Sequence, residues 1–458
     1  MIKKVATLSI ILAAYLFCLC GLSSAAQLPD NYLPFVKLGF DGFVEEYRQP
    51  IISPHGEILD RGPLTRQFRR PFTVGSGSVI SADGLILTNY HVYNFEASVE
   101  YNVQDTVLYQ MVPASTEMQV YILEDNDPLK QPVLRYSAEM LAFDPLRDLC
   151  LLRITSDVRT GDEISGKQFH HLEFDNPFAI GFLDELTILG YPTKGGETLT
   201  LTEGKFLGYT ADAPHALDGS IKTDALIASG NSGGAAMHDA RLVGVPTRVS
   251  DKESLGADFG YIHPVTWAVA PFAKAKILFD QDTPEIRKEW VLSDYNTDIT
   301  RSRIFLCGTV QSAQARTPVE DVLVLVYRSD RSFEQIDQLD DELLFWHYIA
   351  SIKQAHMEGY GKEKLAVGHG IPPDEIQAIL DLDPETLHLS NDAKLAMNGE
   401  FFFHFQRTDD SGYFSTTAPR GQNVVIFVDK DGYRTLTRNV TAGDGLYDDL
   451  GAIEIFAR

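Results

Sequence analysis

The 458-residue chain predicts a mainly β protein of two or three domains, and three observations carry that expectation. From Phe72 onward, short apolar runs are separated at close intervals by Gly, Asp, Asn and Pro, the pattern of many short strands rather than of alternating strands and helices. A second group of such runs follows beyond Gly308. The length exceeds what a single core ordinarily serves, and a content of 44% hydrophobic and 10% aromatic residues is that of a folded globular chain.

In chain order, residues 1–26 combine Lys3 and Lys4, an apolar run from Val5 to Leu22, and the small residues Ser24, Ala25 and Ala26 before Gln27. This reads as a cleaved secretory signal; a membrane anchor is the competing reading, because the run approaches the length that spans a bilayer. Cys18 and Cys20 follow Phe17 and Leu19, where a lipoprotein signal would place a small residue, so both are expected to leave with the signal. Cys150 and Cys307 lie inside apolar runs of different proposed domains, which favours two buried thiols over a bridge. Residues 27–70 carry Pro29, Pro34, Pro50, Pro54 and Pro63 and are expected to form an N-terminal arm laid against the next domain. Arg69, Arg70 and Pro71 read as an exposed turn or a processing site.

The runs 78–80, 85–88, 118–122, 140–143, 149–154, 185–189, 205–208, 242–245 and 259–263 are the expected strands of a domain over 71–280. Asp83-Gly84 is a hairpin signal between the first two. Residues 101–135 are expected to be a surface loop or an extra hairpin. A helical pattern over 265–279 closes the domain, and 281–300 forms a connector to a domain over 301–458. Within that last domain, 329–398 reads as a helical insertion. Leu339, Leu343, Trp346, Ile349 and Ile352 recur at helical spacing, and Pro372, Pro373, Asp374 and Glu375 open a shorter helix. Packing within the fold and binding of a partner both suit the longer helix.

A formal charge of −25 argues against nucleic acid, because a phosphate-binding protein needs a basic face and no Lys/Arg block is present. It reads instead as the solubility of an exported protein. His170, His171, His238, His356 and His369 have no metal-ligand spacing with cysteines or acids, so no metal and no cofactor are expected. Asp429-Lys430-Asp431-Gly432 begins like a calcium loop but lacks the later ligands, and it reads as a turn. Asn439-Val440-Thr441 matches a glycosylation acceptor by letter only.

The chemistry gathers in three places. Gly230-Asn231-Ser232-Gly233-Gly234-Ala235 suits a backbone turned tightly about one exposed hydroxyl, with Ser232 as candidate nucleophile. A serine hydroxyl is a weak nucleophile near neutral pH and needs a histidine base and a carboxylate to orient it. His91 follows one apolar run and Asp148 precedes another, giving the order His, Asp, Ser.

The segments 75–92 (GSGSVISADGLILTNYHV), 144–154 (DPLRDLCLLRI), 190–192 (GYP) and 223–234 (TDALIASGNSGG) resemble the trypsin-like serine endopeptidases, and within them the HtrA/Deg branch, over roughly residues 70–275. The resemblance implies a chymotrypsin-like double β-barrel, with His91 and Asp148 on the first barrel and Ser232 on the second. It also implies an oxyanion hole from the N–H groups of Gly230 and Ser232, and a specificity pocket including Leu226, Ile227, Tyr261, Ile262 and His263. That pocket has no acid where a trypsin-type pocket places one, so cleavage after small or medium apolar residues is expected. Asn231 stands where digestive enzymes carry an aspartate, and no Ile-Val-Gly-Gly start is present, so activation by the cleavage that frees such a terminus is not expected. The Gly-Leu-Gly-type loop of a PDZ domain, common in this branch, is missing. Residues 308–310, 317–326, 408–414, 424–428 and 431–434 resemble the carboxypeptidase regulatory-like β-sandwich, usually an accessory module.

These readings predict an exported, periplasmic or secreted, serine endopeptidase that acts on protein or peptide substrates through an acyl-enzyme. No stable membrane insertion is expected after signal removal, and a homo-oligomer is the habit of the branch, although its N-terminal contact segments have no match here. The alternative is a latent or inactive protease-fold scaffold working through its C-terminal domain, which in a third reading docks a carbohydrate, envelope or protein partner.

Overall fold

In the computed structural model the described residues are 29–52, 58–94, 99–102, 107–145, 147–164, 166–192, 197–210, 220–249, 259–291, 303–328, 349, 352–353, 356, 361–362, 365–366, 372–382 and 402–458. The alternation of apolar and polar side chains from Phe35 onward closes two antiparallel barrels of six strands each. The first runs Phe35–Phe40, Met118–Ile122, Val133–Asp144, Leu149–Asp157, Leu85–Thr88 and Phe72–Val79, returning to the first strand. Val36, Leu38, Val79, Ile86, Met118, Val120 and Leu152 fill its interior. The second runs Glu185–Gly190, Thr200–Tyr209, Ile221–Thr223, Gly260–Pro264, Arg241–Val249 and Ala235–His238, filled by Leu186, Ile188, Phe206, Ile221, Val243 and Ile262. Closure leaves neither sheet with an open edge.

All nine expected strand runs overlap barrel strands, with Ile80 and Phe259 one residue outside them, and the Asp83-Gly84 turn is made, with Gly84 at φ +92° donating its N–H to the Ser81 carbonyl at 3.2 Å. The segment expected as an arm behaves differently. Phe35–Phe40 is a barrel strand buried at five of its six positions. Gly42–Arg48 and Leu64–Arg69 pair with each other, and the hairpin of Val99–Asn102 and Val107–Pro113 adds to them, making a four-stranded sheet beside the barrel. Proline excludes helix interiors but is compatible with the turns before and between strands, which is where Pro34, Pro50 and Pro63 sit.

Beyond residue 302 two further sheets share one core. Arg303–Ser312 lies between Tyr413–Pro419 and, in parallel, Tyr447–Ile455; Phe402–Arg407, Leu323–Arg328, Asn423–Asp429 and Leu436–Thr441 form the second sheet. Ile304, Leu306 and Val310 meet Val324, Val326, Ile426 and Val428 between them. The expected short helix is Pro373–Leu380, with proline and two acids in its first turn. Its Ile376 packs with Ile352 and Leu365. The rest of the longer helical pattern, at Leu339, Leu343 and Trp346, lies outside the described residues, as do the signal segment 1–26 and connector residues 292–300.

A helix at Val269–Phe279, entered through a 3-10 turn at Val265–Ala268, joins the two parts. Phe272, Ala273 and Ala275 lie in one core cluster with Leu149, Leu151 and Leu242 of the barrels and with Phe305, Cys307 and Tyr413 of the C-terminal unit. No helix among the described residues is long and apolar enough to cross a membrane.

Cys150 and Cys307 are both buried and unbridged. Burial pushes the Cys307 thiol up to about 11 and Cys150 still higher, so neither carries thiolate near neutral pH. In a chain beginning at Gln27, neither thiol should react with an aromatic disulfide reagent at pH 8 until denaturant is added, when both should react; titration of one in the native protein would contradict this burial.

Candidate active site

Strand Leu85–Thr88 ends in a single extended residue, Asn89, which is fully buried, and a short helix Tyr90–Tyr93 then carries His91. The Asn89 side-chain amide and the Tyr90 N–H both donate to the Asp148 carbonyl, at 2.9 and 3.1 Å, so the histidine helix is tied to the carboxylate turn through backbone. That turn joins two long barrel strands, and Asp148 adopts φ +52°, a left-handed conformation that aspartate tolerates better than most residues.

The Asp148 carboxylate is the meeting point. Oδ1 accepts the His91 backbone N–H at 2.9 Å; Oδ2 lies 2.8 Å from His91 Nδ1 and accepts the Thr247 hydroxyl at 3.0 Å. His263 brings a second ring nitrogen, Nε2, to 3.8 Å from Oδ2, beyond hydrogen-bond distance. Burial alone would raise this acid, but His263 and His91 outweigh it and hold the carboxyl far below the usual range. An ionised carboxylate facing Nδ1 requires the proton on that nitrogen, which leaves Nε2 of His91 as the acceptor.

Ser232 comes from the second barrel. Its loop is held by Asn231 N–H to the Ala228 carbonyl at 2.9 Å, Gly233 N–H to the Pro246 carbonyl at 3.1 Å and Gly234 N–H to the Asn231 carbonyl at 3.0 Å. Gly230 and Gly233 sit at φ +97° and +80°, and a Cβ on Gly233 would run into Thr88 Oγ1 and the Ser76 carbonyl. The sequence pattern of glycines around one serine is therefore needed sterically. The Ser232 hydroxyl donates to the Thr247 carbonyl at 2.9 Å rather than to His91. Among the described residues, no backbone hydrogen bond engages the N–H of Gly230 or Ser232.

Two positioning groups were not singled out by the sequence. Thr247 touches both ends of the arrangement, carbonyl to Ser232 and hydroxyl to Asp148. Ser76, 1% exposed on strand Phe72–Val79, clamps the nucleophile loop to the first barrel. Its N–H donates to the Ser232 carbonyl at 2.9 Å; its hydroxyl donates to the Gly230 carbonyl at 2.6 Å and accepts the Tyr191 N–H at 2.8 Å. Ser76 stands within the motif that opens at Gly75, where it reads as one more small residue beside a glycine.

The five expected pocket residues differ in burial. Ile227 and Ile262 are 4% and 0% exposed and belong to the second barrel's interior core. Along strand Gly260–Pro264, Ile262 points inward, so Tyr261 and His263 take the other face. Leu226 is 66% exposed, Tyr261 is half-buried, and His263 is stacked on Trp267 at 4.8 Å between ring centres and turned toward Asp148.

Residues 75–245 match the model of the trypsin-like peptidase domain, a span that holds His91, Asp148 and Ser232. The chain is similar to the serine protease HTR4 of Rattus norvegicus, 26% identical over 230 residues that make up 50% of this chain and 38% of the relative. It is similar to the magnetosome formation protease MamE of Magnetospirillum gryphiswaldense, 26% identical over 47% of this chain and 23% of the relative. It is also similar to a probable periplasmic serine endoprotease DegP-like of Chlamydia muridarum, 25% identical over 68% of this chain and 49% of the relative. The chain thus spans less than half the length of each of these relatives. Among solved structures it resembles the HtrA-type protease AlgW with decapeptide, at 17% identity over 90% of this chain and 96% of that one, with a TM-score of 0.37. The sequence comparisons thus make residues 75–245 similar to trypsin-like peptidase domains and the chain similar to HtrA- and DegP-type serine proteases.

Replacing Ser76 by Ala leaves the Gly230 carbonyl and the Tyr191 N–H without their buried partner, at about 1–3 kcal/mol each. Ser76→Ala should therefore lower unfolding free energy by about 2–6 kcal/mol, read as an earlier urea midpoint with an unchanged slope. An unmoved midpoint would contradict the clamp.

Proposed function

We propose that this chain is an exported serine endopeptidase in which His91, Asp148 and Ser232 form the triad. The observation that carries the reading is the 2.8 Å contact between the Asp148 carboxylate, its side chain 15% exposed, and His91 Nδ1, made next to a serine whose loop has two N–H groups in no backbone hydrogen bond among the described residues. Asp148 holds the imidazole in the tautomer with Nε2 open and stabilises the imidazolium that forms during reaction. Ser232 turns from the Thr247 carbonyl to His91 Nε2, loses its proton there and attacks the scissile carbonyl carbon. The N–H groups of Gly230 and Ser232 receive the oxyanion. His91 passes the proton to the leaving amine, and water then cleaves the acyl-enzyme by the same base.

The relatives' description as DegP-like periplasmic proteases, together with the N-terminal sequence, supports export and a protein or peptide substrate. The two C-terminal sheets with a common core support an accessory sandwich of the carboxypeptidase regulatory-like kind. Exposed Leu226 and the lack of an acid among the expected pocket residues favour small or medium apolar residues before the cut bond. A second reading, a resting or latent enzyme, is favoured by one observation: the Ser232 hydroxyl is bound to the Thr247 carbonyl rather than to His91. In that case an activator or the substrate itself turns the hydroxyl.

Digestion of a peptide library by the chain beginning at Gln27 tests the proposal. Cleavage after apolar residues is expected, and Ser232→Ala or His91→Ala should lower turnover by a factor on the order of 10⁶. Activity that survives Ser232→Ala would sink the triad assignment, and a strong preference for Lys or Arg would sink the proposed specificity.

A further inference from the structure

The turn that carries Asp148 is packed against the C-terminal unit. Arg147, immediately before Asp148, has only 7% of its side chain exposed. Its Nη1 donates to Asp144 Oδ2 at 2.9 Å and its backbone N–H to Asp144 Oδ1 at 3.1 Å, closing the turn on itself. The guanidinium lies 5.2 Å from the ring centre of Phe305, which belongs to strand Arg303–Ser312 of the C-terminal unit and is 6% exposed. A guanidinium taken out of water needs its carboxylate and a face that favours cations, and Phe305 supplies that face.

A second contact from the same unit reaches the histidine side. Lys274 is paired with Asp409 at 2.7 Å, and its ammonium lies 5.2 Å from the ring centre of Phe143 and 5.3 Å from that of Tyr413. Phe143 stacks on Tyr90, the neighbour of His91, at 4.7 Å. Phe305, Cys307 and Tyr413 share one core with Ala142, Leu149 and Leu151, which flank the Asp148 turn. A loosely tethered accessory module would keep those side chains covered within itself; here they face the barrel.

We propose that the C-terminal unit is a positioning element of the active site, acting through Phe305 on Arg147 and so on the left-handed turn that aims the Asp148 carboxylate at His91. This rests on the triad reading given above. Arg147 touches no reacting atom; it is a positioning residue, and its effect runs through the orientation of Asp148. A shift of about 1 Å in a catalytic group costs on the order of 100-fold in rate, so a change of packing behind the turn is enough to register in turnover.

The test uses the full chain with Phe305→Leu and Arg147→Met, which keep apolar volume but remove the ring face or the charge. Arg147→Lys serves as the conservative variant. Val324→Ala, in the core between the two C-terminal sheets, controls for general loosening of that unit. Two readouts are taken. One is kcat and KM on a library-derived peptide. The other is the low-field proton resonance of His91 Nδ1–H, assigned by its loss in His91→Ala, which reports the hydrogen bond to Asp148 with or without turnover. Phe305→Leu and Arg147→Met should lower kcat by about 10- to 100-fold with KM within about twofold, and should shift or abolish the resonance. Arg147→Lys should restore most of both, and Val324→Ala should leave both unchanged. Wild-type kcat and an unmoved resonance in Phe305→Leu and Arg147→Met would overturn the proposal, as would equal losses in Val324→Ala. A wild-type protein without turnover, whose resonance still moves in Phe305→Leu, would uphold the positioning and remove the endopeptidase reading instead.

Discussion

An ionised carboxylate largely withdrawn from water has to be surrounded by donors, and Asp148 meets that demand by drawing on three separate stretches of chain. The His91 backbone and ring come from the end of one strand of the first barrel and the Thr247 hydroxyl from a strand of the second, while the His263 ring on a further strand stands 3.8 Å from the carboxylate. Each donor is worth little by itself in water, but around a buried charge their loss is expensive. The two barrels are therefore docked by the same contacts that arrange the site. Ser76 makes the reciprocal link, a hydroxyl from the first barrel holding the Gly230 carbonyl of the second.

The same reasoning extends outward from the Asp148 turn. Its left-handed residue is kept in place by Arg147 and Asp144 on one side and by the Tyr90 N–H on the other. Behind Arg147 lies Phe305, and behind Phe143 lies Lys274 with its partner Asp409. The helix Val269–Phe279 fills the space between these contacts and makes the barrels and the C-terminal unit one packed body. Close-packed interiors transmit small displacements, so the C-terminal unit and the carboxylate share a mechanical fate.

Much of this was legible in the sequence because the signals are local. Alternating apolar runs and an Asp-Gly turn marked the barrel strands, and glycines about Ser232 marked a loop whose φ values only glycine adopts with ease. What escaped is non-local or ambiguous in kind. Prolines at 34, 50 and 63 announced that no helix was present, but they could not choose between an arm and strands. Ile227 and Ile262 neighbour a plausible pocket in sequence, yet both pack into the second barrel's core, Ile262 by the alternation of its strand. Thr247, Ser76 and His263 acquire roles only once distant strands pair, and Arg147 declares its ion pair with Asp144 three residues away but not its Phe305 partner far along the chain.

The central claim is that Ser232 is made nucleophilic by His91 and Asp148 within a formed oxyanion site. The most direct measurement is intact-mass analysis of the folded chain after incubation with a fluorophosphonate, alongside the Asp148→Asn variant and a protein pre-unfolded in urea. The account predicts one adduct per chain, located on Ser232 after digestion, much slower labelling in Asp148→Asn and none in the unfolded protein. No adduct on a folded chain, or an adduct on another residue, would contradict it.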